Sequence, residues 1–371
     1  MKIVQVANFV HETSGGMRTA LGALQAQYLA LGHEVVLIRP SFESLSDETN
    51  LVKDFTIRGP VLPMTGGYRV IAGRRELQRI LLGLRPDVVE LSDKSTLYWV
   101  PKWCKKNGIA CVVFSHERTD LAINSLGWKR FPLVPIVSYF RRAIVRSADA
   151  IVCASQYAAE EFDGQSDSVH IVPLGVDSSQ FVSSQKSPAW GTPFTLVVCA
   201  RLSPEKNVDV AIEALRILCR NQICQMLVLG DGPLMNKLQE QAIGLPVHFM
   251  GHVTDRDTLA NLLTFADVVL NLGHVETFGL VSIEALASGT PVVVASDGAS
   301  REVIENSCGR VVNLEPTVIV SAIQQLRQLS RKDLCTQCEL RASNFNWATT
   351  GERMVDLFTS CVGMSGYVNN S

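Results

Sequence analysis

Short runs of β-branched and aliphatic residues alternate with amphipathic stretches along almost the whole chain, and few folds accommodate that alternation. KIVQVA, EVVLIR, DVVEL, ACVVFS, AIVCAS and VHIVPL come first; FTLVVCA, QMLVLG, VHFMG, DVVLNL and PVVVAS follow after a break. Runs that are apolar at consecutive positions form strands covered on both faces, and helices between them make the strands parallel. RTALGALQAQYLALG and NVDVAIEALRILCR read as two such helices. The pattern is α/β, with doubly wound parallel sheets.

The break, DSSQFVSSQKSPAWGTP from Asp177 to Pro193, is rich in Ser and Pro and lacks apolar periodicity. It reads as a linker between two Rossmann-like domains, expected over 1–180 and 181–345. At 371 residues and 47% hydrophobic content, each half can bury its own core. A net charge of −2 argues against a nucleic-acid partner. That charge is uneven: Thr65 to Arg146 holds fifteen Lys/Arg against six Asp/Glu. The opening KIVQVANFV lacks the apolar region of a signal peptide, and no run reaches the length of a membrane span. Ten cysteines lie scattered, mostly inside apolar runs, as expected of buried thiols in a reducing cytosol. Cys335 and Cys338 have C-x-x-C spacing but no second pair or nearby histidines, so neither zinc nor redox chemistry is expected there.

Ligands of such sheets bind beyond the carboxyl ends of the strands, so the loops there should carry the chemistry. After KIVQVA, Gly15 and Gly16 stand directly before a helix, where free N–H groups favour an anion. They come too late after the strand for a dinucleotide fingerprint. After FTLVVCA, Arg201 and Lys206 flank a turn, a pair of cations suited to a diphosphate. A tight turn, Asp231 to Pro233, follows QMLVLG. After DVVLNL comes GHVETFGLVSIEALASG: Glu276 lies in the loop, Phe278, Gly279 and Leu280 open a helix, and Glu284 falls inside it, eight positions beyond Glu276. The helix's free N–H groups would meet the same diphosphate. Carboxylates on either side of a phosphate site can each accept hydrogen bonds from a sugar, which is the shape of a nucleotide sugar.

Glu-x7-Glu, preceded by Arg-x4-Lys and a Gly-Gly loop, resembles the retaining glycosyltransferases of family 4, which have the GT-B fold of two Rossmann-like domains facing a cleft. The resemblance covers nearly the whole chain. It implies that 346–371, including FNWATTGERMVDLF, forms a helix crossing back to the first domain. It implies a nucleotide-sugar donor and no cofactor. Glu276 would contact hydroxyls of the transferred sugar and Glu284 those of the ribose. Arg201, Lys206, Gly16 and the amides of Phe278 to Leu280 would hold the diphosphate. The backbone near Val253 would face the base, and His116 would stand beside sugar and acceptor. MKIVQVANFVHETSGGMRTAL, VVELSDKSTL and SHERTDL resemble more particularly the actinobacterial enzymes that build phosphatidylinositol mannosides from GDP-mannose. Where many members have a Pro-Ser pair before the first glutamate, this chain has NLGHV.

Asp255-Arg256-Asp257 matches the metal-binding D-x-D of another glycosyltransferase fold, but Thr254 before it and TLANLLTFA after it read as a helix start. No metal is expected. The leaving diphosphate would be stabilised by Arg201, Lys206 and the helix N-terminus. The two glutamates fit poorly as a retaining-glycosidase pair, which needs carboxyl groups about 5 Å apart. As the family is thought to act, the acceptor would attack on the face the diphosphate leaves, with no enzyme nucleophile. GWKRFPLVPIVSYFRRAIVR mixes aromatic residues with Lys129, Arg130, Arg141 and Arg142, and a neighbouring basic stretch begins at Arg69. Such mixtures suit an anionic membrane surface bearing a glycolipid acceptor, on the inner face of the plasma membrane; solvated helix faces are the competing reading. Other readings are a family 4 transferase with another donor and a soluble acceptor, a nucleotide-sugar 2-epimerase, and a binding protein with a dead site. The complete set Gly16, Arg201, Lys206, Glu276 and Glu284 argues against the last.

Overall fold

Two parallel-sheet units make up the chain in a computed structural model that describes residues 1–9, 15–42, 46–47, 52–61, 68–118, 134–162, 168–182 and 189–368. One unit is Met1–Pro173 with the chain from Trp347; the other is Leu174–Asn346. In the first, the strands are β1 (Lys2–Val6), β2 (Glu34–Ser41), β3 (Ser46–Asp47), β4 (Lys53–Arg58), β5 (Val88–Leu91), β6 (Ala110–Ser115), β7 (Ala150–Cys153) and β8 (Val169–Ile171). Their order is β3-β4-β2-β1-β5-β6-β7-β8, parallel apart from the two-residue β3, which runs antiparallel to β4. In the second unit they are β9 (Phe194–Cys199), β10 (Cys224–Leu229), β11 (Val247–Gly251), β12 (Val268–Asn271), β13 (Val292–Ala295) and β14 (Gly309–Val312). Their order is β11-β10-β9-β12-β13-β14, all parallel.

The consecutive apolar runs become the central strands, fully buried in β5, β6, β7, β12 and β13. Three strands escape the sequence pattern, the two-residue β3 among them. β4, KDFTIR, lies near the sheet edge, is mostly half-buried and begins with two charges. β14, GRVV, is an edge strand buried only at its ends. Strands with one covered face need no continuous apolar run.

The stretch read as a linker is packed against the second unit at both described ends. Phe181 is buried, the Gly191 N–H donates to Asp267 Oδ1 at 3.0 Å, and Trp190 carries the Arg331 guanidinium 4.6 Å above its ring. Its Ser-rich middle hides these aromatic anchors from a reading by composition. The last helix, Trp347–Val368, packs in the first unit on the helix Gly16–Ala30. Phe358 meets Tyr28 edge-on at 5.6 Å, and the Thr350 hydroxyl donates to the Pro173 carbonyl at 2.8 Å.

Under that helix pair lies a carboxyl group wholly removed from water. Glu90 of β5 accepts at Oε2 from Gln5 Nε2 and from the Tyr28 hydroxyl, both at 3.0 Å. Gln25 Nε2 in turn donates to Gln5 Oε1 at 2.8 Å. Burial pushes the Glu90 carboxyl up to about 7, against the pull of the two hydrogen bonds. Folded Glu90 therefore keeps its proton to about pH 7, while an unfolded carboxyl ionises near 4.5. The stability this proton provides is complete below 4.5 and declines as pH rises to about 7, by roughly 3 kcal/mol at most. Glu90→Gln should remove the decline, so the melting temperature of the variant relative to wild type should rise between about pH 5 and pH 8. A constant difference in calorimetric melts across that range would show that Glu90 is ionised in the fold.

Candidate active site

In the second unit the strand order reverses between β9 and β12, and a crevice at such a reversal is where parallel sheets bind ligands. The loops after β9, β10 and β12 interlock there. Leu202 N–H donates to the Asp231 carbonyl at 2.9 Å, and Leu234 N–H to the Leu202 carbonyl at 3.0 Å. His274 N–H donates to the Glu205 carbonyl at 3.2 Å. Asn207, at φ 51°, donates from Nδ2 to the Leu272 carbonyl at 2.8 Å and lies 3.1 Å from His274 Nδ1. The turn after β10 can come this close only without side chains: a Cβ on Gly230 would stand 1.9 Å from the Ala200 carbonyl oxygen, and one on Gly232 2.5 Å from that of Leu202.

Lys206 and Glu276 meet within this crossing as an ion pair, both half-buried. Arg201 stands exposed at the β9 end. The Glu276 carbonyl accepts from Ala299 N–H at 2.8 Å, which ties its loop to the end of β13. Gly279, at φ +87°, caps the helix Leu280–Ala287 in the left-handed region. A Cβ there would lie 2.2 Å from Ser300 Oγ. Asn271 Nδ2 bonds both that hydroxyl at 3.1 Å and that of Ser282 at 2.9 Å. The side chains of Phe278 and Leu280 are buried, Phe278 against Phe345, so what they can offer a ligand is backbone N–H.

Glu284 is 4% exposed and accepts at Oε1 from Arg256 Nη2 at 2.7 Å. Burial raises its carboxyl above the usual range, while Arg256 pulls it back. The Cys199 thiol, pushed up to about 12 by burial, feels the charges of Glu284, Arg256, Lys206 and Glu276, so both carboxylates gather around the end of β9. Val253 is half-buried in the loop after β11. The Asp-Arg-Asp segment is a helix start: Asp255 accepts from Thr258 N–H at 2.8 Å, and Asp257 from Gln180 Nε2 at 3.2 Å. The capping pattern accounts for the segment in the sequence, and Arg256 within it carries no motif of its own. Cys199, Asn207 and Ser300 carried no motif.

The first unit presents its own strand ends. Gly15 stands at the start of the helix Gly16–Ala30, and no described residue comes within 4 Å of a Cβ built on Gly15. His116 follows β6, its ring stacked on Phe114 at 4.4 Å. Lys94, from SDKST, donates to Ser115 Oγ at 2.6 Å, to the Glu117 carbonyl and to the buried Glu161 carboxylate, so it pins the segment carrying His116. Of the basic set, Arg69 lies over Phe42 at 3.6 Å and bonds the Gly59 carbonyl, and Arg141 bonds that of Glu161. Arg142 and Arg146 are exposed. Lys129 and Arg130 lie outside the described residues.

Residues 14–180 match the family described as Glycosyltransferase Family 4, and residues 180–342 that described as Glycosyl transferases group 1. A GDP-mannose-dependent alpha-(1-6)-phosphatidylinositol dimannoside mannosyltransferase of Mycobacterium tuberculosis is 36% identical, over 96% of this chain and 95% of that protein. The chain belongs to glycosyltransferase family 4. A glycogen synthase of the same organism is 25% identical over 93% of the chain and 91% of its own length. Among solved structures, sucrose-phosphate synthase from Thermosynechococcus elongatus superposes with a TM-score of 0.79, covering 98% of this chain and 99% of its own, at 18% identity. Anabaena HepE in complex with UDP gives 0.75, covering 97% and 100%, also at 18%. These likenesses establish the GT-B fold.

His116 of this glycosyltransferase is held down to about 4 by burial first and by the Lys94 charge second. It is neutral at physiological pH. Because an unfolded histidine protonates near 6.5, its contribution to stability is intact above that value and lost as pH falls toward 4. Nitrogen NMR of the labelled imidazoles should find His116 without a titration step from about pH 5 to pH 8, and a midpoint near 6.5 would contradict this environment.

Proposed function

We propose that this glycosyltransferase moves mannose from GDP-mannose to a phosphatidylinositol mannoside, with retention at the sugar carbon. The observation that carries the reading is the crossing at the β9/β12 reversal, where the Lys206–Glu276 pair, Arg201 and the Gly279-capped helix stand together. Similarity over nearly the full length to a relative named for that donor and acceptor class supports it. So does a further relative, a phosphatidylinositol monomannoside mannosyltransferase of Mycolicibacterium smegmatis, 26% identical over 64% of the chain.

The roles follow the chemistry each position offers. Arg201, Lys206 and the Phe278–Leu280 amides take the diphosphate and stabilise its growing charge as the glycosidic bond breaks. Gly15 and Gly16, at a helix N-terminus, are assigned to phosphate contact. Glu284 accepts from the ribose hydroxyls, the backbone at Val253 faces the base, and Glu276 accepts from hydroxyls of the mannose. The two glutamates differ in surroundings: one is half-buried on Lys206, the other buried on Arg256. That asymmetry supports binding roles and speaks against paired glycosidase chemistry. The acceptor hydroxyl attacks on the face the diphosphate leaves and passes its proton to a phosphate oxygen. His116, being neutral, can accept a hydrogen bond from the acceptor. No metal takes part. Among the described residues no helix is long and apolar enough to cross a membrane, and Arg142 and Arg146 supply exposed cations for an anionic inner-leaflet surface.

The decisive experiment ranks GDP-, UDP- and ADP-sugars by thermal shift and then follows transfer of labelled sugar to lipid acceptors. GDP-mannose should win, and turnover should require the acceptor and survive EDTA; donor turnover without acceptor would instead indicate an epimerase. Glu284→Ala should weaken GDP binding by about 1–3 kcal/mol through the lost ribose hydrogen bonds, and unchanged calorimetric affinity would remove that assignment. Arg142→Glu with Arg146→Glu should reduce transfer to acceptor in anionic vesicles, more so at low salt, while GDP binding stays as in wild type. Equal transfer to a small soluble acceptor would defeat the lipid reading.

A further inference from the structure

We propose that Arg256 is the positioning residue for the ribose-binding carboxylate, fixing the rotamer of Glu284 and keeping it charged so that it accepts both ribose hydroxyls. The inference rests on the reading of Glu284 as the ribose contact and extends it to a residue outside the Glu-x7-Glu pattern.

Three observations carry it. First, Glu284 sits in the middle of the helix Leu280–Ala287, almost sealed from water, with Oε1 bonded to Arg256 Nη2 at 2.7 Å. Oε2 takes no hydrogen bond from the described residues. Second, Arg256 is itself held in place. It opens the helix Arg256–Phe265, whose start is fixed by the Asp255 cap, and its guanidinium lies 4.9 Å over the buried ring of Phe181. An aromatic face on one side and a carboxylate on the other leave the fork little freedom. Third, among the described residues Arg256 is the cation that acts on the Glu284 carboxyl. Lys206 is bound to Glu276, and Arg331, on the helix Arg331–Ala342 that packs against Leu280–Ala287, is bound to Asp267. The remaining titratable neighbour, Cys199 of β9, stays a neutral thiol throughout the physiological range.

A carboxylate buried without a cation takes up a proton. Protonated, it would lose its charge and part of its acceptor capacity, and with them the charge-assisted hydrogen bonds from the ribose hydroxyls. Arg256 prevents this and leaves Oε2 open. The site therefore reads the ribose through a pair of residues from two helices.

Calorimetric titration with GDP at about pH 6 and pH 8 tests this on wild type, Arg256→Met, Arg256→Lys and Glu284→Ala. Wild type should bind alike at both values. Arg256→Met should bind about tenfold more weakly at the lower pH and recover in part at the higher, since rising pH favours the ionised carboxyl. Arg256→Lys, which restores the charge, should bind with an intermediate affinity that does not change with pH. A merely structural role for Arg256 would lower affinity equally at both pH values, and that result, or wild-type affinity in Arg256→Met, overturns the proposal. If Glu284→Ala weakens binding but Arg256→Met does not, the ribose reading stands and the positioning role falls. If Glu284→Ala binds GDP as wild type does, the ribose reading falls and takes the positioning role with it.

Discussion

The reversal of strand order between β9 and β12 is the constraint on which the geometry of the candidate site depends. Helices that leave these two strands go to opposite faces of the sheet, so their loops diverge and leave open backbone between them. That opening has to be closed by polar contacts. It is bridged by Asn207 and His274 along the backbone and by Lys206 and Glu276 at the side-chain level. The bridge requires residues of opposite character on loops some seventy positions apart. On the other side of β9, the turn after β10 requires glycine where a Cβ would strike the facing carbonyl, as at Gly230 and Gly232. Gly279 follows the same logic: only its left-handed turn lets the helix begin against Ser300, directly above the strand end.

Charge is handled in two opposite ways across the molecule. Lys94 with Glu161, Arg256 with Glu284 and Arg331 with Asp267 are ion pairs in which at least one partner is almost wholly buried. Removing one member of such a pair strands the other, which is why the pairs fix geometry more than they add stability. Glu90 takes the other course: it has hydrogen-bond donors and no cation, and it keeps its proton. Two of the three pairs lie at carboxyl ends of strands, where a ligand would approach, and the neutral carboxyl lies in mid-sheet.

Much of this was legible in the sequence because parallel strands announce themselves through unbroken apolar runs, and because loops after strands are where chemistry collects. Arg201, Lys206, Glu276 and Glu284 are readable on those grounds. β4 and β14 are not, since strands at or next to a sheet edge need only partial cover, and KDFTIR and GRVV carry charged residues that are not buried. Arg256 was hidden differently. Its partner is 28 positions away, and a helix-capping aspartate beside it accounted for the local pattern without it. Glu90 stands next to last in DVVEL, and Gln5 on the neighbouring strand β1 and Tyr28 above it make that position an interior one. Pairings across strands and between helices are long-range facts, and no local period reports them.

The Lys206–Glu276 pair constrains how the proposed transfer can proceed. A lysine bound to a carboxylate is already half neutralised, so the pull it exerts on an arriving diphosphate is smaller than that of a bare ammonium. Arg201 and the helix N-terminus then supply the larger share of initial attraction. In the proposed transfer, negative charge building on the diphosphate would draw Lys206 toward it and loosen its hold on Glu276. Glu276 would then be a stronger acceptor for sugar hydroxyls as the sugar carbon turns positive. An ion pair that yields in step with the reaction strengthens both contacts in the transition state more than in the ground state, which is the condition for an interaction to raise the rate and not merely the affinity.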